Sequence, residues 1–434
     1  VNNNVQQLLA KGPLTGFQLS AIAVCVGLNM LDGFDVLAMA FSASGVKAAW
    51  ALSDSRLGWL LSAGLIGMAV GSLGLAPLAD FVGRRRIILI AAGVAALGML
   101  GSVGARDFSD LLLLRALTGI GIGGTIASAA VVVSEYSSDR WRAAALAAYS
   151  TGYPVGATLG GALTALAIPA YGWRAAFAIG GVMSLVMVLI AAWGLPESLD
   201  FLVTRRPPGA LARLNALLAR MRQPALAALP ERAHGGAQAA SGAVPFRLLL
   251  TGRTLLVWLM FFSTMAAFYF SVSWTPRLLH AAGASAALGL AAGVLFNLGG
   301  IAGCGGFALA AARFDAHRLL LASLLASALL IAAFGIAVHQ VNIALWTALL
   351  LGLITNAAMS GLYAVGPPLY PTAVRATGMG WAIGIGRLGA ILAPIVSGAL
   401  LDAGWAPAQL YFLFSAPFVV AALALLVIGT RQGS

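Results

Sequence analysis

Apolar residues in this chain run in blocks of about 20, separated by short polar connections, and the block recurs twelve times. Wound as a helix at 1.5 Å per residue, such a block crosses a hydrocarbon core ~30 Å thick. The pattern predicts spans near residues 19–42, 57–78, 87–105, 110–134, 143–168, 174–195, 254–276, 286–311, 318–338, 342–366, 377–401 and 408–429. The longest connection, Pro196 to Gly252, separates six spans from six. The expected architecture is therefore an all-α membrane protein with two six-helix bundles, over 1–200 and 253–434, joined by a cytoplasmic linker over 201–252. Within that linker, Ala210 to Arg220 has leucines at helical spacing and predicts an amphipathic helix lying on the membrane surface. The Gly/Ala/Ser stretch 233–243 reads as a flexible connection.

Composition agrees: 61% of the 434 residues are hydrophobic and 9% are charged, against about 25% charged in soluble domains. Basic residues outnumber acidic ones 25 to 13, yet they mark span ends instead of forming a stripe with aromatics, which argues against nucleic acid. Eighteen of the 25, from Lys11 through Arg84, Arg85 and Arg86 to Arg375 and Arg431, fall in alternate connections; five fall in the others. That asymmetry places both termini in the cytoplasm. The first eighteen residues are polar with no leader-like start, so the first span is expected to be a retained helix. Cys25 and Cys304 each lie in apolar runs and read as packing residues, and the four histidines form no ligand cluster. No Ser/His/Asp or Cys/His set suggests an enzyme. Gly119 to Gly124 lies inside a span and reads as close helix packing, not a phosphate loop.

Four ionisable groups lie within the spans. Asp32 and Asp35 share one face of the first helix, and Asn29 continues the stripe. A mid-membrane carboxylate costs roughly 2.5–3.5 kcal/mol on insertion scales, so the pair points to proton or ion handling. The helical rise puts both in the outer half of the membrane. Arg115 lies ~8 Å down the fourth helix from outside, within reach of Asp35, and Arg387 lies ~15 Å into the eleventh, near the midplane. An arginine fork matches a carboxylate and stays charged at any working pH. These residues suggest an anion–proton symporter in which Arg387 or Arg115 holds a substrate carboxylate and Asp32 or Asp35 takes the proton.

Several motifs are more specific. Ala76-Pro77-Leu78-Ala79-Asp80-Phe81-Val82-Gly83-Arg84-Arg85-Arg86 resembles the loop signature of the major facilitator superfamily, with Ala76 and Phe81 departing from it. Arg115 within Leu114 to Gly119, and Pro196-Glu197-Ser198, also match. Asp32-Gly33-Phe34-Asp35, Ser134-Glu135-Tyr136, Ser273-Trp274-Thr275-Pro276 and the run Gly386 to Leu392 narrow the resemblance to the aromatic acid:proton symporters.

The resemblance implies alternating access between two pseudo-symmetric bundles in the bacterial inner membrane. It also implies a monomer with no cofactor beyond the coupling proton, importing a benzoate-like carboxylate. An apolar slot for the rest of the substrate would draw on Asn29, Phe34, Tyr153, Phe268, Tyr269, Trp274, Asn297, Asn356 and Tyr363, in spans that the resemblance implies line the cavity. Benzoate, hydroxybenzoates, protocatechuate, phenoxyacetates and muconate all satisfy one arginine and an apolar slot, while a sugar or drug carrier is the alternative. Gating is expected of Asp80, Arg84, Arg85, Glu135, Arg142 and Arg375. Asp80 should accept from the start of the eleventh helix near Thr377 and Gly378, and Arg84 and Arg85 should pair with Glu135 or Asp139.

Overall fold

The computed structural model describes residues 14–230, 251–337, 340–370 and 375–430. Lys11, Arg431 and the 233–243 stretch lie outside them. The long helices are α1 (Gly16–Trp50), α2 (Asp54–Val82), α3 (Arg84–Val103), α4 (Phe108–Tyr136), α5 (Asp139–Tyr171) and α6 (Arg174–Gly194). Two short helices, α7 (Leu199–Arg205) and α8 (Ala210–Arg220), follow. The second set is α9 (Gly252–Ala281), α10 (Ala286–Ala311), α11 (Ala316–Ala337), α12 (Val341–Val365), α13 (Arg375–Asp402) and α14 (Pro407–Thr430). Twelve of these are long and apolar enough to cross a membrane, which makes the chain a multi-pass membrane protein.

Side-chain caps satisfy the first orphan N–H groups and set where helices begin. Thr15 and Gln18 form a capping box on α1, Ser53 caps α2, Asp107 caps α4 and Thr251 caps α9. Within each set of six, successive long helices run antiparallel because their connections are short. The face where α1 begins and α14 ends is called the terminal face; the opposite one is the far face.

Small residues draw the helices together, as packing in lipid requires. A Cβ at Gly67 would sit 2.1 Å from the Ala116 carbonyl oxygen, and one at Gly123 2.1 Å from that of Met68. Gly119, Gly123 and Gly124 of α4 thus contact α2, while Gly121 meets the Ala91 carbonyl of α3, the close helix packing that their position in a span predicts. In the second bundle α10 and α12 interlock in the same way, through Gly299, Gly303 and Gly352.

The amphipathic helix forms, but its apolar face is not on lipid. Leu214 and Leu218 of α8 are fully buried and pack with Leu199 and Leu202 of α7. Ile22, Tyr136 and Leu195 of the first bundle complete that cluster. Asn215 fastens the fold-back by exchanging two 2.9 Å hydrogen bonds with the Leu226 backbone. The open end of the bundle supplies the apolar surface that the membrane was expected to supply.

Candidate functional site

On α1, Asp35 meets Arg115 of α4: Nη2 lies 2.5 Å from each carboxylate oxygen. Both residues are buried, and the guanidinium lies 5.5 Å over the Phe177 ring with Nη1 3.2 Å from the Met99 sulfur. The pair ties α1 to α4 inside the first bundle.

Asp32, almost one turn nearer the terminal face, is different. It is buried, and its Oδ1 has no hydrogen-bond partner. The charged group that answers it comes from the other bundle, where Arg387 of α13 lies within electrostatic reach. Arg387 reaches across the seam with Nη1, donating to Ser72 Oγ at 2.8 Å and to the Met68 carbonyl at 3.2 Å. No described residue accepts from its Nε or Nη2. A guanidinium has five donors, so the fork retains capacity for an anion.

Three tyrosines surround these charges. Tyr153 of α5 has a buried hydroxyl without a partner and lies within electrostatic reach of Asp32 and Tyr269. Tyr269 of α9 lies within electrostatic reach of Asp32, Arg387 and Tyr363. Tyr363 of α12 sits deep among the helices yet is 44% exposed, as a cavity-lining ring is, and stands edge-on to Phe261 at 5.8 Å. Asp32, Arg387, Tyr153, Tyr269 and Tyr363 therefore converge on the seam between the bundles.

The other expected lining residues are buried. Phe34 is 1% exposed and fills a notch over Gly160 of α5 and Gly180 of α6, inside the first bundle. Trp274 is wholly buried in the second. Phe268 is buried too, packed against Phe296 at 6.0 Å. Asn29 donates to the Tyr149 carbonyl at 2.6 Å and ties α1 to α5. The Asn297 and Asn356 amides each donate to a carbonyl one turn back, Gly293 and Gly352, at 2.9 Å. Their side chains find within the helix the partner that an amide in lipid requires. Ser72 was not anticipated; a serine beside Gly71 in a span carries no signal beyond small size.

At the terminal face the expected gate contacts are partly redistributed. Arg84 pairs with Glu135, and Ser198 bridges the two, with Oγ 3.1 Å from Arg84 Nη1 and 3.0 Å from Glu135 Oε1. Asp80 does not accept from the start of α13; its carboxylate takes Arg84 Nη2 at 3.1 Å. Arg85 does not pair with Glu135: its Nη2 donates to the Ala192 carbonyl at 2.6 Å and its backbone N–H to Glu197 Oε1 at 3.1 Å. These contacts join α2, α3, α4, α6 and the start of α7 within one bundle. Arg142 is half-buried on α5, and Arg375 is exposed at the first turn of α13. Gly83, at φ +110°, is required here, since a Cβ would also meet Glu197 Oε2 at 2.6 Å.

The seam is closed toward the far face. Ser62 Oγ donates to the Ile391 carbonyl at 2.7 Å, and a Cβ at Gly58 would sit 2.4 Å from the Pro394 carbonyl oxygen. Toward the terminal face, Gly74 of α2 and Gly380 and Gly384 of α13 face open space.

Two apolar bundles with a polar site on the seam between them, closed toward the far face, are the arrangement of a membrane transporter. The chain belongs to the major facilitator superfamily, whose pattern matches residues 22–312. It is 32% identical over 98% of its length to the 4-hydroxybenzoate transporter PcaK of Pseudomonas aeruginosa, covering 96% of that protein. The gallate transporter of Pseudomonas putida is also 32% identical, with 98% and 95% covered. The 3-(3-hydroxy-phenyl)propionate transporter of Escherichia coli is 30% identical, with 95% and 94% covered. Among solved structures, the inward open xylose transporter XylE from E. coli superposes with a TM-score of 0.76 at 16% identity, covering 94% of this chain and 96% of that one.

Proposed function

We propose that this protein imports an aromatic carboxylate together with a proton across the bacterial inner membrane, as a monomer, with the terminal face in the cytoplasm. The observation that carries the reading is the juxtaposition on the seam of Arg387 and Asp32, which are not bonded to each other. Arg387 keeps unused donors, and Asp32 is a buried carboxylate with an unpartnered oxygen. The names of the relatives, which transport 4-hydroxybenzoate, gallate and a hydroxyphenylpropionate, support an aromatic acid as the substrate. Tyr153, Tyr269 and Tyr363 supply ring faces and hydroxyls for such a molecule. The excess of basic residues in alternate connections supports the orientation.

Charge balance explains the coupling. In the empty site Asp32 and Arg387 neutralise each other. When the substrate carboxylate takes the arginine fork, Asp32 is left as an uncompensated buried charge, and a proton on it removes that cost. Carboxylate without proton leaves a net negative charge in the seam, so the bundles close over both or over neither. Asp35 takes no part in this exchange because both its oxygens are held by Arg115.

Uptake into proteoliposomes from a panel of labelled acids (benzoate, 4-hydroxybenzoate, protocatechuate, gallate, phenoxyacetate and muconate), with and without an inward proton gradient, tests the reading. Accumulation of at least one aromatic acid, accelerated by the gradient, is expected. Accumulation of none, or indifference to the gradient, would overturn it.

A further inference from the structure

At the far face, α13 ends and α2 begins side by side, and a carboxylate joins them. Asp402, the last residue of α13, accepts from the backbone N–H of Asp54 at 2.8 Å through Oδ1 and from that of Ser55 at 2.9 Å through Oδ2. These are orphan donors at the first turn of α2, where the helix dipole also favours a negative charge. Ser53, the cap of α2 within its own bundle, engages the Arg56 N–H instead, so the two caps do not compete. The residue that serves α2 as a second cap therefore belongs to the other bundle.

Asp54 extends the junction. Its Oδ2 takes Lys47 Nζ of α1 at 2.5 Å, and its Oδ1 lies 3.6 Å from Arg277 Nη2 of α9. A Cβ at Gly398 would meet the Asp54 carbonyl oxygen at 2.2 Å, so the backbones are in contact where the caps form. Among the described residues the opposite end of α2 has no such bond: there Asp80 is paired with Arg84 of its own bundle.

We propose that Asp402 is the positioning residue of the outer gate: it latches the far-face seam shut by capping α2 across the two bundles, with Asp54 and Arg277 as the supporting ion pair. The latch is made in the state seen here, open toward the terminal face, and breaks whenever the carrier opens to the far side. Two backbone N–H groups then go to water, so the bonds open without leaving a buried group unpaired. This goes beyond the substrate assignment and rests on that reading only for the alternation of access.

Access to Ser62→Cys, buried on α2 beneath the latch, reads the seam directly. In a background with Cys25→Ala and Cys304→Ala, a membrane-impermeant maleimide applied from the far face should label Ser62→Cys several-fold faster when Asp402→Ala is added. Asp402→Asn, which keeps one acceptor, should fall between. Parent-rate labelling of monodisperse protein in both variants overturns the latch, and Asp402→Asn alone decides if the alanine variant does not fold. Independently, a Ser55→Cys/Asp402→Cys disulfide should stop uptake and release it on reduction; undiminished uptake through a complete cross-link overturns the proposal. The labelling result needs no substrate, so it stands apart from a failure of the aromatic acid reading.

Discussion

Arg115 and Asp35 form a closed pair, with one guanidinium nitrogen 2.5 Å from both carboxylate oxygens and neither side chain more than 3% exposed. Breaking a buried pair by removing one partner leaves an uncompensated charge. Asp35→Asn is therefore expected to cost on the order of 3 kcal/mol, read as a lower unfolding midpoint in detergent. The double variant Asp35→Asn/Arg115→Gln should recover more than half of that loss. Asp35→Asn protein of normal stability that loses only its response to a proton gradient would instead make Asp35 the proton carrier.

Asp32 has the opposite profile. Its Oδ1 has no partner to lose, so Asp32→Asn should fold with near-normal stability. Exchange of labelled for unlabelled substrate should persist, because the asparagine imitates the protonated acid. Net uptake should no longer respond to an inward proton gradient. A preserved gradient response in Asp32→Asn removes the proposed role.

Arg387 offers a planar fork, so a lysine in its place keeps charge but not geometry. Arg387→Lys is expected to weaken substrate binding by about thirtyfold, the equivalent of ~2 kcal/mol for a charge-assisted contact. Arg387→Gln should abolish saturable binding. Equilibrium binding to purified protein checks both, and unchanged affinity in either variant excludes Arg387 as the anchor of the carboxylate.

The amount legible in the sequence follows from what a bilayer demands. Each span must satisfy its own backbone and hide its length in hydrocarbon, so twelve helices appear as twelve apolar blocks; all twelve form over the expected blocks, the first running on to Trp50, past its expected end at Ser42. Depth is equally readable, since it is linear in residue number. That is why Arg115 was placed opposite Asp35, and why the structure finds them bonded.

Rotation about a helix axis is not linear in anything the chain displays when nearly every position is apolar. Phe34 sits between the two aspartates in sequence, yet it points into the first bundle while Asp32 faces the seam. Asn297 and Asn356 stand out because an amide in lipid needs a partner, and Asn29 because it continues the aspartate stripe; each finds a backbone carbonyl.

The linear sequence by itself determined the span count, the depth of each buried charge and the excess of basic residues in alternate connections. These depend on composition along one axis. Only the tertiary structure decided which side chains share the seam, that α8 packs on protein instead of lipid, and that Asp402 rather than Asp80 bridges the bundles. Those outcomes depend on rotation, on competition between neighbouring apolar surfaces and on which face of the carrier is closed, and none of the three is written in the spacing of residues.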